Sequence, residues 1–188
     1  MSTNNEKRSY LKQSILTLCL LVVSTLSLQA YASGDHDSHG KMNHSSKIRQ
    51  KLSESTKGSI LKVLESNEKL QSSFFKYDTQ KIEDNAKELQ ASIEKIDDQK
   101  IKKLLKFSVT KLSLMTKNSS RKDNNQNYHL VSMALIHLIN TYEVGGDYNA
   151  FSCPMVKKKW IQNTSKNKTV NNPYAPKMAM CGSQDSKF

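Results

Sequence analysis

The sequence predicts an all-α fold, an antiparallel four-helix bundle carrying an irregular Cys/Met-bearing lobe at its C-terminal end. Three observations lead there. Between residues 47 and 144, Leu, Ile and Val recur at helical spacing among Lys and Glu. The three Pro all fall after residue 153, so nothing interrupts the helical stretch. The 188 residues carry 36% hydrophobic side chains, enough for one core and too few for two.

The first segment reads as an address. Lys7, Arg8 and Lys12 precede an apolar run over residues 14–28, and Ala30-Tyr31-Ala32 follows as a small-x-small cleavage pattern. That order is a secretory signal peptide over residues 1–32. The run is short for a membrane span, so the mature chain is expected to lack a transmembrane segment. Cys19 leaves with the signal, because Leu18 stands where lipidation needs a small residue. The expected destination is an exported compartment, the bacterial periplasm.

Residues 33–46 follow as a flexible arm with almost no apolar content, unable to bury anything by itself. It carries His36, His39, Met42 and His44, and three of the five His in the chain lie within nine residues. Imidazole and thioether together suit soft and borderline metals, so the arm is a candidate capture segment.

The bundle is expected over residues 47–146. Ile60, Leu61, Leu64, Leu70 and Phe74 mark the first helix. Asp78 or Thr79 can cap the second, with Ile82, Ala86, Leu89, Ile93 and Ile96 in steps of three and four. Asp97 or Asp98 can start the third, with Ile101, Leu104, Leu105, Ser108, Leu112 and Met115. Residues 118–127 read as a polar loop, and Tyr128, Val131, Leu135, Leu138 and Tyr142 mark the fourth helix before Gly145-Gly146 stops it. No such helix is stable alone in water, so the stripes must face one another. His129, Met133 and His137 form a second ladder on one face of the fourth helix; two of its members could share a metal, and the simpler reading is a boundary row.

Residues 147–188 change character. They hold the single Trp, all three Pro, Cys153 and Cys181, and they read as an irregular lobe with short strands or turns, packed on the bundle through Phe151, Trp160 and Tyr174. Met155, Met178 and Met180 flank the two Cys. Thiolates and thioethers select Cu(I), and equally Ag(I), over Zn(II), Mg(II) or Ca(II). The spacing is not a zinc pattern, lacking Cys-x-x-Cys and a His pair nearby. The alternative is a Cys153–Cys181 disulfide. Closing 28 residues of separation would stabilise the fold by about 3.6 kcal/mol on a chain-entropy basis, and no metal would then be needed.

Charge narrows the partners. Net charge is +12 over the whole sequence, and removing residues 1–32 takes away three basic residues and one acid, leaving +10. The basic residues are mostly Lys and the chain is exported, which argues against nucleic acid and for an anionic surface or an acidic envelope protein. A Gly-rich phosphate loop, a nucleophile elbow and a His-Glu-x-x-His motif are all missing, so an enzyme is not expected.

The tail also carries a resemblance. Cys153-Pro154-Met155, Trp160, Asn172-Pro173-Tyr174, Met178 and Cys181-Gly182 resemble the end of a bacterial periplasmic domain family of unknown function. That family occurs alone and fused to adaptor subunits of copper/silver efflux systems. Residues 67–97 are similar to its first helix pair, and the chain from Val131-Ser132 onward to its last helix. The likeness spans roughly residues 55–182. It implies a helical domain in heavy-metal handling, with Cys153, Met155, Met178 and Cys181 as ligands and Asn172, Pro173 and Tyr174 shaping the turn between them. Here Val156, Lys157-Lys158-Lys159 and Ala175-Pro176 replace the family's usual Ala, Gly-rich stretch and Phe-Gly, and Met180 is an additional sulfur. The expected function is buffering of a soft metal, resistance to it, or its hand-over to an envelope efflux or metal-handling protein. The rival expectation is a disulfide-stapled interaction module without metal.

Overall fold

The computed structural model describes residues 48–188. The signal segment and the arm bearing His36, His39, Met42 and His44 lie outside them.

Four helices form where the apolar period runs, each opened by a side chain that accepts an otherwise unpaired N–H. α1 is Glu54–Lys76, capped by Ser53, whose Oγ accepts from the Thr56 N–H at 3.1 Å. α2 is Thr79–Glu94, with Asp78 accepting from Lys81 at 3.1 Å. α3 is Gln99–Ser113, with Asp98 accepting from Lys100 and Ile101 at 2.9 and 3.0 Å. α4 is Arg121–Thr141, with Ser120 accepting from Asp123 at 3.1 Å. This last cap lies inside the stretch read as a polar loop. Residues 121–127 are the polar first turns of α4, exposed enough to show no apolar period.

The inward stripes meet as one core. Ile60, Leu64, Leu70 and Phe74 of α1 pack with Ile82, Ala86, Leu89 and Ile93 of α2, Ile101, Leu105 and Leu112 of α3, and Tyr128, Val131, Leu135 and Leu138 of α4. Packing follows chain order, α1 on α2, α2 on α3 and α3 on α4. No helix among the described residues is long and apolar enough to cross a membrane.

The chain is not all-α. After α4, residues 148–184 build a three-stranded antiparallel sheet in the order β2-β1-β3. β1 is Tyr148–Cys153, β2 is Lys158–Asn163 and β3 is Ser183–Gln184. The fold is mixed, four helices and a small sheet, and the irregular lobe is in fact a hairpin with an added strand. The reason lies in burial. β1 is covered almost throughout, so it shows no in–out alternation. β2 opens on Lys158-Lys159 and ends on Gln162-Asn163, polar residues that are nevertheless buried because their amides are bonded. Gln162 Nε2 donates to the carbonyls of Asn167 and Thr169 at 2.9 and 2.6 Å, and Asn163 Nδ2 donates to Gly146 O at 2.9 Å. β3 is two residues long, below any periodicity.

A line of aromatic rings joins sheet to helices. Phe151 stacks on Trp160 at 5.9 Å, Trp160 meets Tyr174 at 6.3 Å, Tyr174 meets Tyr128 at 5.6 Å, and Tyr128 stacks on Phe74 at 4.8 Å. Edge and offset contacts of this kind add to the burial of the rings themselves. Glu68 of α1 supplies a polar latch, accepting from the Tyr148 hydroxyl and pairing with Lys166 Nζ at 3.0 Å. The sheet therefore has a fixed seat on α1 and α4, and its turns can hold side chains in place.

Candidate metal centre

Strand register brings the two cysteines together. Ser152 pairs with Ser183 across β1 and β3, and Cys153 pairs with Lys158 across β1 and β2. Beyond the Ser152–Ser183 pair, β1 continues to Cys153 while the other chain runs back through Gly182 to Cys181. Cys153 is buried and Cys181 partly exposed; both are free thiols.

Gly182 is what permits this approach. Its φ is +141°, and a Cβ there would stand 2.7 Å from the Ser152 carbonyl oxygen and 2.7 Å from Trp160 Cη2. Only glycine lets the Cys181 strand cross the Trp160 ring so closely.

Cys153 closes β1 and opens the turn over residues 154–157, which Lys157 completes at a φ of +51°. Burial pushes the Cys153 thiol up. That effect is outweighed by hydrogen bonds from the Cys181 thiol, the backbone N–H groups of Val156 and Met155, and the Asn172 side chain, which together hold it below its ordinary value of 9.0. Cys181 moves the other way, raised by its hydrogen bond to Cys153, by burial and by the charge beside it. Of the two, Cys153 is the one whose surroundings favour the thiolate, and Cys181 the one that keeps its proton longer.

Asn172 holds the far side. It is fully buried. Its Nδ2 donates to the Cys181 carbonyl at 3.0 Å, its Oδ1 accepts the Tyr174 N–H at 2.9 Å, and its backbone N–H reaches Ala179 O at 2.7 Å. The Asn-Pro-Tyr run thus shapes the loop that carries Cys181. Tyr174 fixes the loop to the hairpin by donating its hydroxyl hydrogen to Lys159 O at 2.9 Å.

The thioethers lie outside the core. Met155 is 69% exposed, Met178 44% and Met180 74%. Met155 sits in the turn whose N–H groups bond Cys153. Met178 ends the short 3₁₀ turn Pro176–Met178, and its carbonyl accepts the Cys181 N–H at 2.9 Å. Met180 adjoins Cys181 in sequence. Three large apolar side chains left in solvent around a thiol pair are not filling a core.

α4 supplies a wall beside Cys153. A cleft of about 350 Å³ is lined by His129 and Met133 of α4 and by Cys153, Pro154 and Lys158. His129 Nδ1 accepts the Lys159 N–H at 3.2 Å. Burial and the charge of Lys158 hold its ring below the ordinary 6.5. His137, two turns along, is exposed and does not line the cleft. The periodic signal for His129 and Met133 was visible; their placement opposite the hairpin turn was not.

Among the described residues, no three His, Cys, Asp or Glu side chains converge as a metal-binding group. The available set is two thiols and neighbouring thioethers, which fits a soft monovalent ion far better than Zn(II) or Ca(II). Comparison with protein-family models, curated proteins and solved structures gives no match to the chain.

Proposed function

We propose that this chain is an exported soft-metal-binding protein that takes up Cu(I), with Ag(I) as a surrogate, and buffers it or passes it to an envelope efflux or metal-handling protein. One observation carries the reading. Two free cysteines 28 positions apart are brought together at the end of a sheet by the Ser152–Ser183 register, and hydrogen bonds around Cys153 favour its thiolate form. A thiolate is the form that binds metal, and surroundings that favour it weaken the competition from the proton. The exposed thioethers of Met155, Met178 and Met180 supply weaker, exchangeable donors suited to release. His36, His39, Met42 and His44 of the arm serve as the outer capture set. The resemblance of the tail to domains found with copper/silver efflux adaptors points the same way.

The test is Cu(I) titration under anaerobic conditions against a chromophoric chelator. The chain should bind Cu(I) at low stoichiometry, and Cys153→Ser with Cys181→Ser should remove most of that binding. Undiminished affinity in the double variant would refute the assignment.

The same sulfur contact supports a second reading, a disulfide-stapled interaction module whose basic surface docks an acidic envelope protein. Thiol counting separates the two. Zero thiols, and no metal uptake after mild reduction, favours the module; two thiols that Cu(I) shields from alkylation favour the metal protein.

A further inference from the structure

α4 presents a sulfur that packing does not use. Its core side chains Tyr128, Val131, Leu135 and Leu138 are fully buried, whereas Met133 is 41% exposed. It opens instead onto the cleft that it shares with Cys153, between α4 and the turn over residues 154–157. A methionine at a boundary position normally folds its flexible chain onto apolar neighbours. Here the surroundings are a thiolate-forming cysteine, an imidazole and the hairpin lysines Lys157, Lys158 and Lys159.

We propose that Met133 is a ligand of the metal held by Cys153, so that the site joins α4 to the hairpin turn and is not confined to the tail. This rests on the soft-metal reading above and deepens it.

Two features favour Met133 over its neighbour His129. The Nδ1 of His129 is taken up by the β2 backbone, 3.2 Å from the Lys159 N–H and 3.5 Å from the Lys159 carbonyl oxygen, so that nitrogen is committed to the strand. Cys153, Cys181 and His129 also do not form a converging trio. The Met133 thioether is held by no such hydrogen bond and needs no deprotonation to bind a soft ion. His129 is then a positioning residue, bonding the β2 backbone to α4 at the edge of the cleft.

The lysines fit the charge of such a complex. Two thiolates on one Cu(I) carry a net charge of −1, and a thioether adds none. Lys157 and Lys158 on the cleft wall offset that charge. Lys159 is paired with Asp185 at 3.0 Å and Lys158 Nζ donates to Gln126 Oε1 at 2.8 Å, which leaves Lys157 the freest of the three. A divalent ion with the same ligands would be neutral and would gain nothing from them.

The experiment uses the purified chain and Cu(I) competition with a chelator. Met133→Leu keeps the side-chain volume and removes the sulfur. It should weaken Cu(I) binding by about tenfold or more, with an unchanged unfolding midpoint. A second measurement needs no variant. Ag(I) should slow peroxide oxidation of Met133 in the native chain, read peptide by peptide in a mass spectrometer, by about tenfold relative to the metal-free chain. Cys-dependent Cu(I) binding with Met133→Leu within about twofold of the native chain, and Met133 oxidised at the metal-free rate, would overturn the Met133 assignment while leaving the proposed function standing. Absence of Cu(I) binding by the native chain would overturn both.

Discussion

Gly182→Ala tests whether the close crossing of the Cys181 strand is what holds the thiol pair together. The added methyl would lie 2.7 Å from the Ser152 carbonyl oxygen and 2.7 Å from Trp160 Cη2. Neither atom can retreat easily. Ser152 is paired on both sides, with Lys159 and with Ser183, and Trp160 is fully buried. Overpacking of this kind costs about 1–3 kcal/mol. The φ of +141° adds about 1–3 kcal/mol for a residue with a side chain. The combined loss of about 2–6 kcal/mol is a large part of the stability of a domain this size. Urea unfolding at unchanged slope measures it directly. A functional readout accompanies it. If β3 detaches, Cys153 loses the hydrogen bond from Cys181, and the apparent pKa of its alkylation should rise toward 9.0. A stability loss below about 1 kcal/mol, with the alkylation profile unmoved, would refute the claim that glycine is required here.

Two further substitutions probe the same region. Asn172→Ala leaves the Tyr174 N–H and the Cys181 carbonyl without their partner and removes a donor to Cys153. At about 1–3 kcal/mol for each buried group left unpaired, the expected loss is about 2–6 kcal/mol with an upward shift of the Cys153 alkylation pKa, and retention of native stability would contradict the clamp. His129 carries a pH signature. Its folded pKa lies below 6.5, so the unfolded chain takes up the proton first as pH falls. The associated stability is complete above 6.5 and is lost progressively as pH drops toward the folded value. The thermal midpoint should fall between about pH 7 and pH 5, and His129→Gln, which can still accept from Lys159, should flatten that fall. An identical slope in the variant would remove His129 from the account.

The helices were legible because their information is local. Asp78, Asp98 and the apolar steps through Ile82–Ile93 and Ile101–Leu112 sit within a few residues of the structure they specify. The sheet was legible only as short strands or turns without pairing, because Gln162 and Asn163 are buried through hydrogen bonds of their side-chain amides to loop carbonyls and disguise β2 as surface. In the site, the soft donors could be counted from residue types, and the resemblance implied a part for Asn172, Pro173 and Tyr174 in the turn. That Met133 would face the same cleft as Cys153 could not be foreseen, since it depends on how α4 lies against a hairpin that local pattern did not reveal.

Composition and spacing alone established the four helical stretches, the soft character of the tail and the basic charge of the chain. Which sulfurs meet was settled elsewhere, by the pairing of Ser152 with Ser183 and the crossing of Gly182 over Trp160. Contacts between residues about thirty positions apart depend on loop closure and register against an already formed core, and neither quantity is written in any short window of the chain.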